Sequence, residues 1–180
     1  MKLPKINVLI TMFNAEKYIK ACIQSLIDQS YKNWEAIIID DKSTDKSIKI
    51  IKNNFRDKRI KITKLKKNIG RAKAMNLGIS KCKADYVAIL DADDIAAPER
   101  FKKQIKTFNN KKHIKLLASW CNWIDENNND IGPYRPPIKT NLEMKKILSF
   151  SNPIAFSTVM FSLKYAKKIK SIPYTLEYGL

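Results

Sequence analysis

Three short apolar runs, Ile6–Ile10, Trp34–Ile39 and Tyr86–Leu90, each pass directly into a polar or acidic cluster: Thr11–Asn14, then Asp40 with Asp41, then Asp91, Asp93 and Asp94. Runs this short and this rich in β-branched residues suit strands buried on both faces. Between them the apolar period changes. Ile19, Cys22, Ile23, Leu26 and Ile27 recur at helical spacing, and so do Ile48, Ile51 and Phe55, for which Ser43 or Thr44 is the expected N-cap. Ile60 and Ile62 predict a third strand and Gly70–Ser80 a third helix, while Pro98 opens a helix with Phe101, Ile105 and Phe108 on one side. Strand and helix in alternation predict an α/β fold with a mostly parallel central sheet flanked by helices.

Beyond Asn109 the rhythm weakens. Ile114–Trp120 reads as a strand, Asn127–Asp130 as a turn, Gly132–Pro137 as an irregular, proline-stiffened loop, Leu142–Leu148 as a helix and Thr158–Phe161 as a strand. At 180 residues and 44% hydrophobic content the chain is expected to be one domain with a substantial core. No apolar run approaches the ~20 residues that cross a bilayer, and Met1–Asn7 lacks the form of a signal peptide, so a cytoplasmic protein is expected. Cys22, Cys82 and Cys121 are too scattered to suggest a zinc site or a disulfide framework.

The net charge of +18 invites a nucleic-acid or anionic-membrane partner. Among the 35 basic residues, however, only Arg56, Arg59, Arg71, Arg100 and Arg135 are arginine. Specific phosphate and base recognition favours arginine's rigid fork. Lysine scattered through nearly every segment is what an AT-rich genome produces and accounts for most of the charge; a residual attraction to an anionic membrane is left, each clustered lysine contributing ~1 kcal/mol there.

Ligands of open α/β sheets bind at the carboxyl ends of strands, where these polar clusters fall. Three carboxylates within four positions, Asp91 to Asp94, repel one another unless a cation or hydrogen-bond donors compensate. The cation that fits is hard and oxygen-loving, Mg²⁺ or Mn²⁺, which takes one or two carboxylates and completes its shell with water and phosphate. Either Asp pair alone more often caps a helix or forms a turn; together, each at the end of an apolar strand, they predict one site. His113, among lysines, reads as a surface residue, and Trp120 and Trp123 as core or pocket wall.

Four blocks carry a family resemblance. ITMFNAEKYIKACIQSLIDQSYKNWEAIIIDDKSTDKS, NIGRAKAMNLGISKCKADYVAILDADDIAAPERFKKQ, SWCNWIDENNNDIG and NPIAFSTVMF together resemble family 2 glycosyltransferases of the bacterial surface-polysaccharide type. The resemblance runs from Ile6 to Phe161. It implies a GT-A fold, a nucleoside diphosphate sugar donor with a UDP-sugar favoured, Mn²⁺ or Mg²⁺, a glycan or lipid-linked acceptor, and inversion at the anomeric carbon. Residues 1 to about 110 would form the nucleotide-binding half and about 111 to 180 a partial acceptor-side half.

Carried across, Thr11 and Asp41 match positions that hold the base, with Glu16 as a companion. Asp91 and Asp93 match the DxD-type pair, Asp91 near ribose and metal and Asp93 a direct metal ligand, with Asp94 in support. Lys73 or Arg71 would reach the diphosphate, or else stand as solvated helix residues. The chain departs from the pattern at Phe156, where many members have histidine, and at Met75, where many have arginine. Family members usually continue past an acidic block that supplies the base, whereas this chain stops at YTLEYGL, so a truncated C-terminal part is expected and Glu177 is the carboxylate left to match the base. The alternatives are a degenerate homologue that binds the donor without turnover, a basic nucleic-acid-binding module, for which no reading motif is present, and a glycoside hydrolase, which the one-sided acidic cluster does not suit.

Overall fold

A computed structural model describes residues 3–138 and 140–169. Its elements are β1 (Ile6–Met12), α1 (Ile19–Ile27), β2 (Trp34–Asp40), α2 (Ser47–Asn54), β3 (Ile60–Lys64), α3 (Arg71–Lys81), β4 (Tyr86–Ile89), α4 (Arg100–Asn110), β5 (Leu116–Leu117), β6 (Cys121–Ile124), β7 (Asp130–Tyr134), α5 (Asn141–Leu148), β8 (Met160–Ser162) and α6 (Leu163–Ala166). A six-stranded sheet has the order β3-β2-β1-β4-β8-β5. The first four of these strands are parallel, whereas β8 runs antiparallel to both β4 and β5. The separate hairpin β6-β7 carries a register shift at Trp123 and Ile124.

Side chains alternate between the two faces of a strand, so each strand feeds two cores. Ile6, Val8 and Ile10 pack with Trp34, Ala36, Ile38 and Ala88 against residues of α1, α2 and α4, where Phe101, Ile105 and Phe108 are buried. Leu9, Ile37, Ile39, Val87 and Ile89 pack on the other face against Ala74 and Met75 of α3. Burying each large side chain of this kind contributes about 1.5–3 kcal/mol. The close approach of α3 depends on Gly78, where an added Cβ would collide with Leu9 Cδ1 and lie 3.2 Å from Ile39 Cγ1.

Several local expectations are corrected. Neither Ser43 nor Thr44 caps α2, whose N-cap is Lys46 with no side-chain bond. Their polar groups are drawn to the preceding loop, since Ser43 Oγ accepts from Asn14 N–H at 3.0 Å and Thr44 N–H donates to Asn14 Oδ1 at 2.9 Å. The strand expected over Ile114–Trp120 shrinks to Leu116–Leu117, because β5 finds a ladder only where it meets Met160 and Phe161. The loop expected over Gly132–Pro137 supplies part of β7, with Pro133 tolerated in a hairpin of only two strands. Trp120 and Trp123 are exposed and not core, although Trp120 does form part of a pocket wall, beside Tyr134 and Pro136. Among the described residues, no helix is long and apolar enough to cross a membrane.

Candidate functional site

The chain moves outward from β1 to β2 and β3, then crosses back over α3 to β4 on the other side of β1. That reversal opens a crevice at the carboxyl ends of β2, β1 and β4, where such sheets take ligands. A cleft of about 510 Å³ lies there, lined by Thr11, Asp41, Arg71, Asp91 and Asp93, with Phe13, Asn14, Tyr18 and Asn68 among its other walls. Asn14 (φ 52°), Lys42 (φ 66°) and Gly70 (φ 84°) all take left-handed backbone, which turns each chain segment sharply as it leaves the sheet edge.

Asp41 is buried beside the cleft. Its Oδ1 accepts from Ile69 N–H at 2.8 Å and its Oδ2 from Gly70 N–H at 2.9 Å, so the carboxylate anchors the start of α3. Asp40 is also buried, with Oδ1 accepting from Ser43 N–H at 3.2 Å. Glu16 does not line the cleft; its Oε2 accepts from Lys46 N–H at 2.9 Å, while its own N–H donates to Asp45 Oδ2 at 2.9 Å. The loops after β1 and β2 are therefore stitched together. Lys73 is exposed and likewise outside the cleft wall. Arg71 is the basic residue that enters it, its Nη2 lying 2.6 Å from Asp91 Oδ1.

The acidic loop is supported from behind. Asp91 N–H donates to Ser157 Oγ at 2.8 Å, and Cys22 Sγ lies 3.4 Å from the Asp91 carbonyl. Burial pushes the Asp94 carboxyl above the ordinary range; the Ser157 hydroxyl opposes that shift, and the charges of Asp93 and Asp91 add to it. Arg100, at the head of α4, donates through Nη2 to the carbonyls of Ile89 at 2.9 Å and Val159 at 3.2 Å. Burial pulls its guanidinium down to about 10, with Asp94 opposing, so it remains a fixed cation behind the loop at neutral pH.

The model of the family described as glycosyl transferase family 2 matches residues 7–169. The chain belongs to that family. An uncharacterized glycosyltransferase of Methanocaldococcus jannaschii is 36% identical over 173 residues, covering 94% of this chain and 60% of the relative. The amylovoran biosynthesis glycosyltransferase AmsE of Erwinia amylovora is 30% identical over 158 residues, covering 86% and 59%. The chain thus spans about three fifths of the length of these relatives. Among solved structures, S. aureus TarS 1-349 in complex with UDP-GlcNAc superposes with a TM-score of 0.74 at 22% identity, over 92% of this chain and 47% of that one. The mannosyltransferase PcManGT from Pyrobaculum calidifontis, in complex with GDP-Man and Mn²⁺, superposes with a TM-score of 0.70 at 16% identity, over 96% and 48%. The fold of this family 2 chain is the GT-A type.

The donor set suits a hard cation bound chiefly through a phosphate ligand. Asp91 and Asp93 reach one cleft, and Mg²⁺ or Mn²⁺ needs one or two carboxylates when phosphate completes its shell. Among the described residues, no cluster of three or more His, Cys, Asp or Glu side chains forms a cage that would hold a metal alone. Glu177, the expected base, lies outside the described residues. Sequence reasoning missed Ser157 and Arg100 as supports of the acidic loop. Their signal was weak, since a serine and an arginine gain meaning only from the backbone groups that tertiary packing brings to them.

Proposed function

We propose that the cleft binds a nucleoside diphosphate sugar, with a UDP-sugar favoured, and that the protein transfers the sugar to a hydroxyl of a glycan or lipid-linked acceptor in surface polysaccharide synthesis. The observation that carries this reading is the meeting of Thr11 and Asp41 from one side with Asp91, Asp93 and Arg71 from the other around one cleft at the switch point. Family membership and GT-A neighbours bound to UDP-GlcNAc or GDP-Man support it.

In this reading Thr11 and Asp41 border the base, and Asp91 lies near the ribose. Asp93, with Asp91, would hold Mn²⁺ or Mg²⁺, which when bound neutralises charge on the departing diphosphate. Arg71 exchanges its contact with Asp91 for the diphosphate and adds a second positive charge there. The acceptor oxygen attacks the anomeric carbon from the face opposite the leaving group, inverting it; a carboxylate base takes the hydroxyl proton as the diphosphate oxygen departs with the bonding electrons. The net charge of +18 is compatible with peripheral contact at an anionic membrane surface, where binding to anionic vesicles would weaken as salt rises.

Thermal-shift screening of UDP- and GDP-sugars, in Mn²⁺ and in chelator, tests the donor reading. Stabilisation by one nucleotide class in Mn²⁺ is expected. No response to any nucleoside diphosphate or its sugar in either condition would overturn it.

A further inference from the structure

Beneath the acidic loop sits a single 3₁₀ turn, Phe156–Thr158, from much later in the chain. Leu90 N–H still bonds within the sheet, to the Leu9 carbonyl at 3.1 Å, whereas the next amide, that of Asp91, donates at 2.8 Å to Ser157 Oγ. The Ser157 hydroxyl also lies close enough to the Asp94 side chain to oppose the rise that burial imposes on that carboxyl. Beside it, the Phe156 ring lies under Arg71, with 5.6 Å between the guanidinium carbon and the ring centroid. One short turn thereby touches the backbone of Asp91, the side chain of Asp94 and the cation paired with Asp91.

The turn is held from several directions. Gln104 Nε2 donates to the Thr158 carbonyl at 2.8 Å, and Arg100 Nη2 joins the Val159 and Ile89 carbonyls. Thr158 Oγ1 donates to the Ala155 carbonyl at 2.7 Å and accepts from Ser119 N–H at 3.2 Å. Ile89 N–H donates to the Val159 carbonyl at 2.9 Å, tying the turn to the strand that leads into the loop. The Ser157 hydroxyl is consequently presented from a fixed backbone. A hydroxyl can accept from one group while donating to another, which neither alanine nor a carboxylate can do.

We propose that Ser157 is a positioning residue for the acidic loop, fixing the backbone at Asp91 so that the Asp91 and Asp93 carboxylates are aimed together at the cation and diphosphate. It acts through the loop and touches neither ligand. The inference rests on the donor-site reading above. Outer partners that orient metal-binding groups commonly govern affinity although they never contact the metal.

Calorimetry with UDP, and with GDP in a parallel arm, in Mn²⁺ and in chelator, compares the wild-type chain with Ser157→Ala and Ser157→Thr. Ser157→Ala is expected to weaken diphosphate binding in Mn²⁺ about 10-fold or more while changing binding in chelator little, and Ser157→Thr, which keeps the hydroxyl, to return to within about threefold of wild type. Cooperative thermal unfolding serves as the folding control. Equal affinity of Ser157→Ala and wild type in Mn²⁺ would overturn the proposal, as would equal losses in Mn²⁺ and in chelator. If Ser157→Ala does not fold, Ser157→Cys keeps the side-chain size with a much weaker hydrogen-bonding group, and full affinity in that folded variant also overturns it. Failure of the wild-type chain to bind either diphosphate is a different result: it removes the donor-site reading itself, and this inference with it.

Discussion

A single nitrogen of Arg71, Nη2, lies 2.6 Å from Oδ1 and 2.8 Å from Oδ2 of Asp91, so the cation leans on the carboxylate without the parallel two-nitrogen fork that arginine can form. The Arg71 side chain is 61% exposed, and water screens the pair to a worth of about 0–1 kcal/mol. A contact this weak is suited to exchange.

Arg71→Met is therefore expected to leave the melting temperature within about 2 °C of wild type. It should lower UDP affinity about 10-fold, the effect of losing one charge-assisted contact. Calorimetry and thermal denaturation on the same samples give both numbers. Unchanged UDP affinity would show that Arg71 serves Asp91 alone.

Asp93 is exposed on the cleft wall. Asp93→Asn is expected to abolish most of the gain in UDP affinity that Mn²⁺ brings, because the cation loses an anionic ligand and clamps the diphosphate less well. Affinity in chelator should change little. If wild type binds UDP equally in Mn²⁺ and in chelator, the assignment of Asp93 to a metal fails.

The seat of α3 provides a test of the fold. Gly78→Ala gains about 1 kcal/mol of helix propensity but forces a methyl against Leu9, a crowding that costs about 1–3 kcal/mol in a packed core. Net destabilisation of about 1 kcal/mol is expected by chemical denaturation, balancing those two effects. Combining it with Leu9→Ala should cost less than the sum of the single changes, since the smaller residue makes room. Strict additivity would contradict the contact.

Away from the cleft, Asp57 accepts from Arg59 Nη2 at 2.6 Å, and Arg59 stacks over Trp34 with its guanidinium carbon 3.8 Å from the ring centroid. The Arg59 side-chain hydrogen bonds, followed by a backbone bond from the same residue, hold the Asp57 carboxyl below its ordinary 3.8 despite burial. A depressed folded-state value contributes stability that is full above the unfolded value and is lost as pH falls through the folded one. Asp57→Asn should accordingly lower the melting temperature by roughly 3 °C at pH 7. The difference from wild type should shrink steadily on going below about pH 4. A difference that stays constant down to pH 2 would exclude an ionic origin.

Local periodicity announced β1, β2, β4 and the helices around them, because an apolar residue's neighbours within one turn or one pleat decide which face it buries. The same local reading could not choose between Arg71 and Lys73. They stand roughly 200° apart around a helix, and only the seating of α3 through Gly78 and Asp41 turns Arg71 toward the cleft. The sequence makes Glu16 a candidate ligand contact, yet in the tertiary structure its carboxylate accepts from Lys46 N–H in the neighbouring loop. Ser43 and Thr44 had the chemistry of helix caps and were claimed by Asn14 instead. Strand ends and their carboxylates are written in short stretches of chain. The partners that hold the backbone behind those carboxylates, such as Ser157 for Asp91 and Arg100 for the ends of β4 and the late 3₁₀ turn, come from distant positions. A hydroxyl or a guanidinium binds whichever backbone group the packed sheet leaves unpaired, so its partner is decided by topology and burial and not by its neighbours in sequence.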